Sequence, residues 1–518
     1  MAGPVWWGTD PEVRAEEAQV ARGLRRSSQF YRFLWEIRSE LFDDAFQDKL
    51  AQAYRPRGQA PCPPAVLAMV NLLQCYTGTS DAGAVDAAEN DRRWQLVLGT
   101  LGWDSAPFGQ GSLVRFRARM IEHDLDRKLL ERTVDLAKKT QKFGWKKLSV
   151  MLDSSPLEGA GRVEDTWNLI GRAMMKLVSA VSQALDVEPS EIIEEAGLRL
   201  LGTTSVKAAL DIDWTDPSEQ KEGLALLLRE VESLETWVTQ RVPDEGRTSP
   251  IKTAMAFLRR VVEQDTDPDP DGGGSKIREG VAHDRVVSVG DPEMRHGRKS
   301  KSRRFDGFKR HIALSNGLIL GTAIEPANRR EHAPTARLLK AAGRYGTIGS
   351  LYIDRGYLPA QEVLDLYEQG IEIHSRAWRV GKPGMFTKED FEIDLERGVV
   401  VCPAGEAATI TPKKQVFFAE SSCSGCTLKE RCTSSAKRSL TLHPHEKFLI
   451  QLRARQKTPE GRHALRKRVA VEHSLARIGR LQGRRARYRG TRKCELDLNR
   501  SAAVANLMTA RGMHRAAQ

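Results

Sequence analysis

Three acidic residues stand where phosphoryl-transfer chemistry would need them. Asp153 follows the apolar run LSVML, Asp354 follows SLYI, and Glu472 lies in the basic stretch RHALRKRVAVEHSLARIGR. A carboxylate at the end of a buried strand in an α/β sheet faces the crevice where ligands bind. Leu465, Val469, Glu472 and Ala476 recur at +4, +3 and +4 steps, which predicts Glu472 on the apolar stripe of a basic helix. A carboxylate on that stripe needs a cation. The candidates are Arg468, four residues earlier, or a divalent metal shared with the two aspartates. Two Mg²⁺ ions about 4 Å apart, held by three or four carboxylates, stabilise the attacking and leaving oxygens of an in-line displacement.

A second cluster is sulfur-based. Cys402, Cys423, Cys426 and Cys432 follow the spacing C-x20-C-x2-C-x5-C, while Cys62, Cys75 and Cys494 are scattered. The count and softness suit a tetrahedral structural Zn²⁺ that would fold a small knuckle with little core of its own. His443 and His445 are substitute ligands, and four reduced cysteines of a degenerate motif are the alternative. Two basic runs, RHGRKSKSRR at 295 and GRRARYRGTRK at 483, are solvated faces unless a DNA backbone lies beside them. Tyr357 and Tyr488 either stack on bases or pack in the core. Asp267-x-Asp269-x-Asp271-Gly272 begins like an EF-hand loop, but Arg278 occupies its twelfth position, so it reads as a linker. Ser154-Ser155 lacks the flanking glycines of a nucleophile elbow.

Positioning these groups falls to a mixture of elements. The chain from Gln29 to Leu148 reads as mostly helical, with Phe33, Leu34, Ile37 and Leu41 at helical spacing and Pro63-Pro64 at a helix start. The stretch from Lys146 to Leu157, which opens KKLSVML, reads as a buried strand before the turn Gly159-Ala160-Gly161. Strand patterns return in RVVSVG, FKRHIALS, LILGTAIEPA, SLYIDRGY and IEIHSRA, with the helix EHAPTARLLKAAGRYG among them. The fold class expected is α/β with a mixed sheet, interrupted by a helical insertion and then by the cysteine-rich segment. From Lys437 onward the chain reads as long basic helices.

With 518 residues, 40% of them hydrophobic and 29% charged, the chain is a multi-domain globular protein and neither a stapled miniature nor a disordered tail. Its net charge of +13 points to a polyanionic partner, and that charge is segregated. Residues 437–518 hold 21 Lys/Arg against 5 Asp/Glu, a net +16, whereas 186–271 hold 9 bases against 20 acids, a net −11. No apolar run is long enough for a membrane span, and the first twenty residues lack a signal-peptide pattern. A cytosolic protein is expected.

The segment Asp153-Ser-Ser-Pro-Leu-Glu-Gly-Ala-Gly161, DPEMRHGRKSKSRRFDGFKRHIAL at 291, YIDRGY at 352 and RVAVEHSLARIGRLQGRRARYRGTRK at 468 resemble the catalytic core of the DDE transposases of bacterial insertion sequences. Arg468 and Glu472 match that family's R-x-x-x-E helix. The segment RPRGQAPCPPAVLAMVNLLQCYTGTSDAGAVDAAENDRRWQLVLG followed by SLVRFRARM is similar to the helical N-terminal domain of one transposase group, which also carries a CPAGE-type motif and a later cysteine cluster. The family's basic residue some seven positions beyond the glutamate falls on Gly479, with Arg480 beside it. The 201-residue gap from Asp153 to Asp354 contains the acidic insertion.

The resemblance implies an RNase H-like core and Asp153, Asp354 and Glu472 as ligands of two Mg²⁺ or Mn²⁺ ions. It further implies hydrolysis at transposon ends followed by strand transfer by the liberated 3′-OH. The partner expected is double-stranded DNA, both terminal inverted repeats and target, bound by a homodimer or larger synaptic complex. Lys309, Arg310, Arg355, Tyr357, Arg468, Arg480, Arg484 and Arg485 are the expected DNA contacts. The domain division expected is a helical N-terminal domain at 1–145 and a catalytic core from 146–170, 281–395 and 437–510. The acidic insertion occupies 171–280 and the cysteine-rich insertion 396–436. The other readings are a zinc-dependent DNA-binding regulator without catalysis and a decayed transposase. The acidic insertion is read either as a dimer contact or as a shield over the basic groove.

Overall fold

Proline and capping residues set the N-terminal helices. Pro64 opens the helix Pro64–Thr77 where its missing N–H costs nothing, and Gly78, at φ 75°, closes it. Ser80 and Asp91 each accept a backbone N–H at the start of the next two helices, Asp81–Asn90 and Arg92–Leu98. The computed structural model describes residues 6–8, 15–54, 62–139, 145–203, 205–270, 272–300, 302–378 and 384–517. Residues 55–61 of the N-terminal resemblance, Asp271 of the acidic linker and Lys301 of the first basic run lie outside the described residues.

The chain then enters a mixed sheet through β1 (Lys147–Glu158). A short hairpin, β2 (Thr266–Pro268) with β3 (Ser275–Ile277), occupies the stretch read as a linker. The sheet resumes with β4 (Arg295–Arg298), β5 (Arg304–Ser315), β6 (Leu318–Pro326), β7 (Thr347–Tyr352) and β8 (Glu372–His374). Its order is β4-β5-β1-β7-β8, with β6 sharing the outer edge of β5. β5 runs antiparallel to β1, β4 and β6, while β1, β7 and β8 are parallel. Asn316-Gly317, both at positive φ, make the tight turn between β5 and β6. That dipeptide is the commonest hairpin signal.

Three expectations are corrected. RVVSVG is not a strand: Val286 and Val287 are buried in an extended segment held by Gln264 and by the Glu164 N–H instead of by a sheet neighbour. Asp153 does not end its strand: β1 continues to Glu158 because β5 pairs with it throughout, from Met151↔Leu314 to Glu158↔Gly307. The C-terminal region is not uniformly a set of basic surface helices. Its last helix, Thr491–Ala517, buries Cys494, Leu496, Leu498, Val504 and Leu507 against β6 and the helices Pro64–Thr77 and Leu125–Lys139. Buried polar groups lock it there. Asn506 bonds the main chain of Ile319 and the Thr133 hydroxyl, while Asp126 receives both Asn499 and Arg492. One hydrophobic core therefore runs from the N-terminal helices through the sheet to the C-terminus.

The acidic stretch forms helices packed on a separate apolar core that includes Trp167, Met174, Leu227, Leu234 and Leu258. The cysteine-bearing segment forms β9 (Glu392–Asp394), β10 (Val399–Val401) and β11 (Ala407–Thr409), plus the pair β12 (Gln415–Phe417) and β13 (Ser439–Thr441). Phe391, Val400, Val416, Phe418, Leu440 and Leu442 are its buried apolar residues. No described helix is long and apolar enough to cross a membrane.

Candidate active site

Register decides where the two aspartates meet. β1 and β7 are adjacent and parallel, with Met151 opposite Tyr352, so Asp153 and Asp354 each lie two residues beyond the last shared pair. There the strands part: β7 ends and turns through Arg355–Tyr357, while β1 continues beside β5. The opening is a crevice at the carboxyl end of parallel strands, the usual ligand position in such sheets. Asp153 is largely buried, with 17% of its side chain exposed, whereas Asp354 is 51% exposed.

Arg468 fills the crevice. Its Nη2 donates to Asp153 Oδ2 at 3.2 Å, and its Nη1 lies 3.5 Å from Asp354 Oδ1. The Ser154 N–H also donates to Asp153 Oδ1 at 2.8 Å. Burial pushes the Asp153 carboxyl above the usual range against the pull of Arg468, and the negative charges of Asp354 and Glu472 add to the rise. Two carboxylates sharing one guanidinium show that this position attracts positive charge.

Glu472 lies on the helix Val469–Gln482, whose buried side is Val471, Leu475, Ile478 and Gln482. Its phase corrects the sequence expectation: Val469, Glu472 and Ala476 are exposed, Val469 at 46%. The stripe drawn from Leu465 assumed one continuous helix, but the preceding helix ends at Arg466 and the next begins at Val469. Arg468 therefore turns inward to the aspartates, and its carbonyl receives the Glu472 N–H at 3.4 Å. The ion pair between Arg468 and Glu472 considered from sequence is replaced by pairs with Asp153 and Asp354. Glu472 faces outward one turn from that guanidinium, near enough for its charge to act on Asp153.

The expected DNA contacts divide. Arg480, Arg484 and Arg485 are exposed, as are Arg487 and Arg489. Arg484 reaches Glu158, and Arg485 donates to the Gly159 and Ala160 carbonyls, along a segment that hydrogen-bonds to the Glu158 backbone. Arg298, Lys299, Arg303 and Arg304 are exposed at the β4–β5 tip. Arg355 is half-buried and accepts the Trp378 indole N–H on its carbonyl. Lys309 pairs with Glu331. Arg310 and Tyr357 are corrected, because both are buried. Arg310 donates to Ser155 Oγ, Gln482 Oε1 and the Gly483 carbonyl, and burial lowers its pKa to about 10. Tyr357 shares a 2.7 Å hydrogen bond with His311 Nδ1. Tyr488 packs partly against the main core.

A Cβ built on Gly479 would lie 3.6 Å from Arg310 Nη2. That is ordinary van der Waals distance, so the position has room for a side chain.

The zinc expectation is not supported. Cys402, Cys423, Cys426 and Cys432 line one small cavity together with Phe386, Phe418 and Leu428. Among the described residues, however, no three His, Cys, Asp or Glu side chains are disposed to hold a metal ion. Burial and the neighbouring thiols push the Cys432 thiol up, against the pull of Arg438. The His443 ring lies tilted against Trp378, and its Nδ1 accepts the His445 backbone N–H.

Two family models match the chain. One, described as a transposase DDE domain, covers residues 401–510 and includes Arg468 and Glu472. The other, described as a transposase domain (DUF772), covers residues 24–119 of the N-terminal helices. Asp153 and Asp354 fall outside both matches. No curated protein and no solved structure matches the chain. DDE transposases act on DNA and in general use divalent metal ions such as Mg²⁺. Both ends of the folded core thus carry transposase sequence, and the two matches together indicate an insertion-sequence DDE transposase.

Proposed function

We propose that Asp153, Asp354 and Glu472 form the catalytic carboxylate set of this transposase, at the crevice of an RNase H-like core made from 146–170, 281–395 and 437–510. The observation that carries this reading is the guanidinium of Arg468 shared by Asp153 and Asp354, on the residue four positions before Glu472. A site that already draws a cation between two carboxylates has the charge and oxygen donors that Mg²⁺ prefers. Asp153 and Asp354 fit that role as they stand. Glu472 joins them by turning its exposed side chain inward. Divalent cations bound there would stabilise the attacking and leaving oxygens of the phosphodiester and lower the pKa of an attacking water.

In the reaction proposed, a water oxygen bonds to the scissile phosphorus, the P–O3′ bond breaks, and the transposon end is left with a 3′-OH. That hydroxyl then attacks a phosphorus of the target DNA and displaces its 3′ oxygen. With divalent cations held by the aspartates, Arg468 would be free to bind a phosphate oxygen. Arg480, Arg484 and Arg485 with the β4–β5 tip form the DNA track, through charge contacts that ignore sequence. Two transposon ends require at least two active sites, hence a dimer or larger synaptic complex on chromosomal DNA.

The test is end cleavage by Asp153→Asn, Asp354→Asn and Glu472→Gln. Each is expected to lose Mg²⁺-dependent cleavage while retaining DNA binding, and cleavage by any of them rejects the set. EDTA-treated protein should recover with Mg²⁺ or Mn²⁺ and not with Zn²⁺.

A further inference from the structure

We propose that Glu331 is a positioning residue of this site: a fourth carboxylate that ties the strand carrying Asp153 to the turn that follows Asp354. The inference rests on the carboxylate set proposed above. Glu331 sits between β6 and the helix Thr335–Gly343, outside every motif that carries the family resemblance. Ser154 Oγ donates to its Oε2 at 2.5 Å, and Lys309 Nζ lies 3.1 Å from its Oε1. Lys309 also donates to the Arg329 carbonyl at 2.7 Å, so the ammonium is fixed from two sides of the same loop.

Strand geometry assigns the network a face. Side chains alternate along β1, so Ser154 points away from Asp153, and in an antiparallel pair opposite residues share a side. Ser154 is opposite His311 and Pro156 is opposite Lys309. Ser154, His311 and Lys309 therefore form the back of the strand whose front presents Asp153. Burial alone would raise the Glu331 carboxyl, but the Ser154 hydroxyl and the Lys309 ammonium hold it below the usual range. Burial also keeps His311 neutral, with a pKa lowered to about 4. The formal charges of Glu331 and Lys309 are thus matched within the network.

The other end of the tie is Gly356. A Cβ on Gly356 would fall 2.8 Å from Glu331 Cγ and 2.9 Å from its Cβ, closer than side chains pack, so the turn after Asp354 lies directly on Glu331. Tyr357, next in that turn, is beside Ser154 and hydrogen-bonded to His311. The two aspartates sit on separate elements that diverge after Met151 and Tyr352. Glu331 and its partners bridge that divergence from behind. Displacements of about 1 Å in a reacting constellation can cost on the order of a hundredfold in rate.

Ser154→Ala, Glu331→Gln and Glu331→Ala in the full chain test this by Mg²⁺ titration of end cleavage, together with DNA affinity and thermal stability. The expected result is a severalfold rise in the Mg²⁺ concentration for half-maximal cleavage and a slower rate at saturating DNA, with DNA affinity unchanged. Glu331→Gln, which keeps an acceptor for Ser154, should fall between wild type and Glu331→Ala. Wild-type Mg²⁺ dependence in folded Ser154→Ala and Glu331→Gln overturns the proposal. Asp153→Asn separates the two readings: if it is inactive while the Glu331 variants behave as wild type, only the positioning role is lost. Cleavage by Asp153→Asn removes the carboxylate set and this inference with it.

Discussion

Arg468 Nη2 lies 3.2 Å from Asp153 Oδ2, across 315 residues of sequence, and occupies the space between the two strand-borne aspartates. Without a metal, this contact compensates the largely buried Asp153 charge. Arg468→Ala should therefore lower the stability of the EDTA-treated protein by about 1–3 kcal/mol, the cost of leaving a partly buried charge unpaired. Saturating Mg²⁺ should recover most of that loss, since cations bound by the aspartates take over the compensation. Thermal melts with and without Mg²⁺ measure both, and an equal loss in the two conditions contradicts the exchange.

The raised Asp153 carboxyl has a definite sign for stability. The folded protein holds this proton more tightly than the unfolded chain does. Its contribution to stability is therefore present below the unfolded pKa and is lost as pH rises through the folded one. Asp153→Asn removes that loss. Denaturation of the metal-free protein should show Asp153→Asn at least as stable as wild type at neutral pH, with a flatter dependence on pH through the weakly acidic range. A variant clearly less stable at neutral pH would assign Asp153 a structural role.

Glu472 faces solvent, in contrast to Asp153. Glu472→Gln should change folding stability by no more than about 0.5 kcal/mol, as exposed substitutions usually do, while abolishing cleavage. Denaturation midpoints and cleavage assays on the same preparation separate the two effects.

Arg310 and Arg484 are both arginines near the site, with opposite expected behaviour. Arg310 is buried among Ser155, Gln482 and Gly483, so Arg310→Ala should destabilise the fold by about 2–4 kcal/mol through lost packing and orphaned acceptors. Arg484 is exposed, so Arg484→Ala should leave the melt unchanged, weaken DNA binding across sequences and reduce the salt slope by about 1. Salt titrations of DNA affinity distinguish them.

Asp126 receives Arg492 and Asn499 of the final helix with its side chain almost fully buried. Asp126→Ala should cost about 3–5 kcal/mol, because it strands a partly buried arginine and a buried amide. The N-terminal helices and the sheet share one core, so calorimetry should show them unfolding together. Separate transitions for these two parts would contradict that shared core.

Periodicity and punctuation reveal those elements whose causes are local. Pro64 at a helix start and the apolar strand runs around Asp153 and Asp354 are such cases. The turn at Asn316-Gly317 also has a local cause, two adjacent residues that tolerate positive φ. Glu331 gave no such signal. It is one acid in the run Asn328-Arg-Arg-Glu331, and its importance comes from Ser154, Lys309 and Gly356, which the chain brings to it from far away.

The sequence by itself determined the order and types of the acids, the R-x-x-x-E spacing of Arg468 and Glu472, and the segregation of charge into an acidic stretch and a basic C-terminal region. These depend on residue identity and spacing alone. Tertiary structure decided which basic residues remain free, because burial of Arg310 and of the last helix depends on what packs over them. It also decided the face of Glu472. A helix break at Lys467-Arg468 resets the phase, and the inward turn of Arg468 follows from β1 and β7 delivering two carboxylates to the same place.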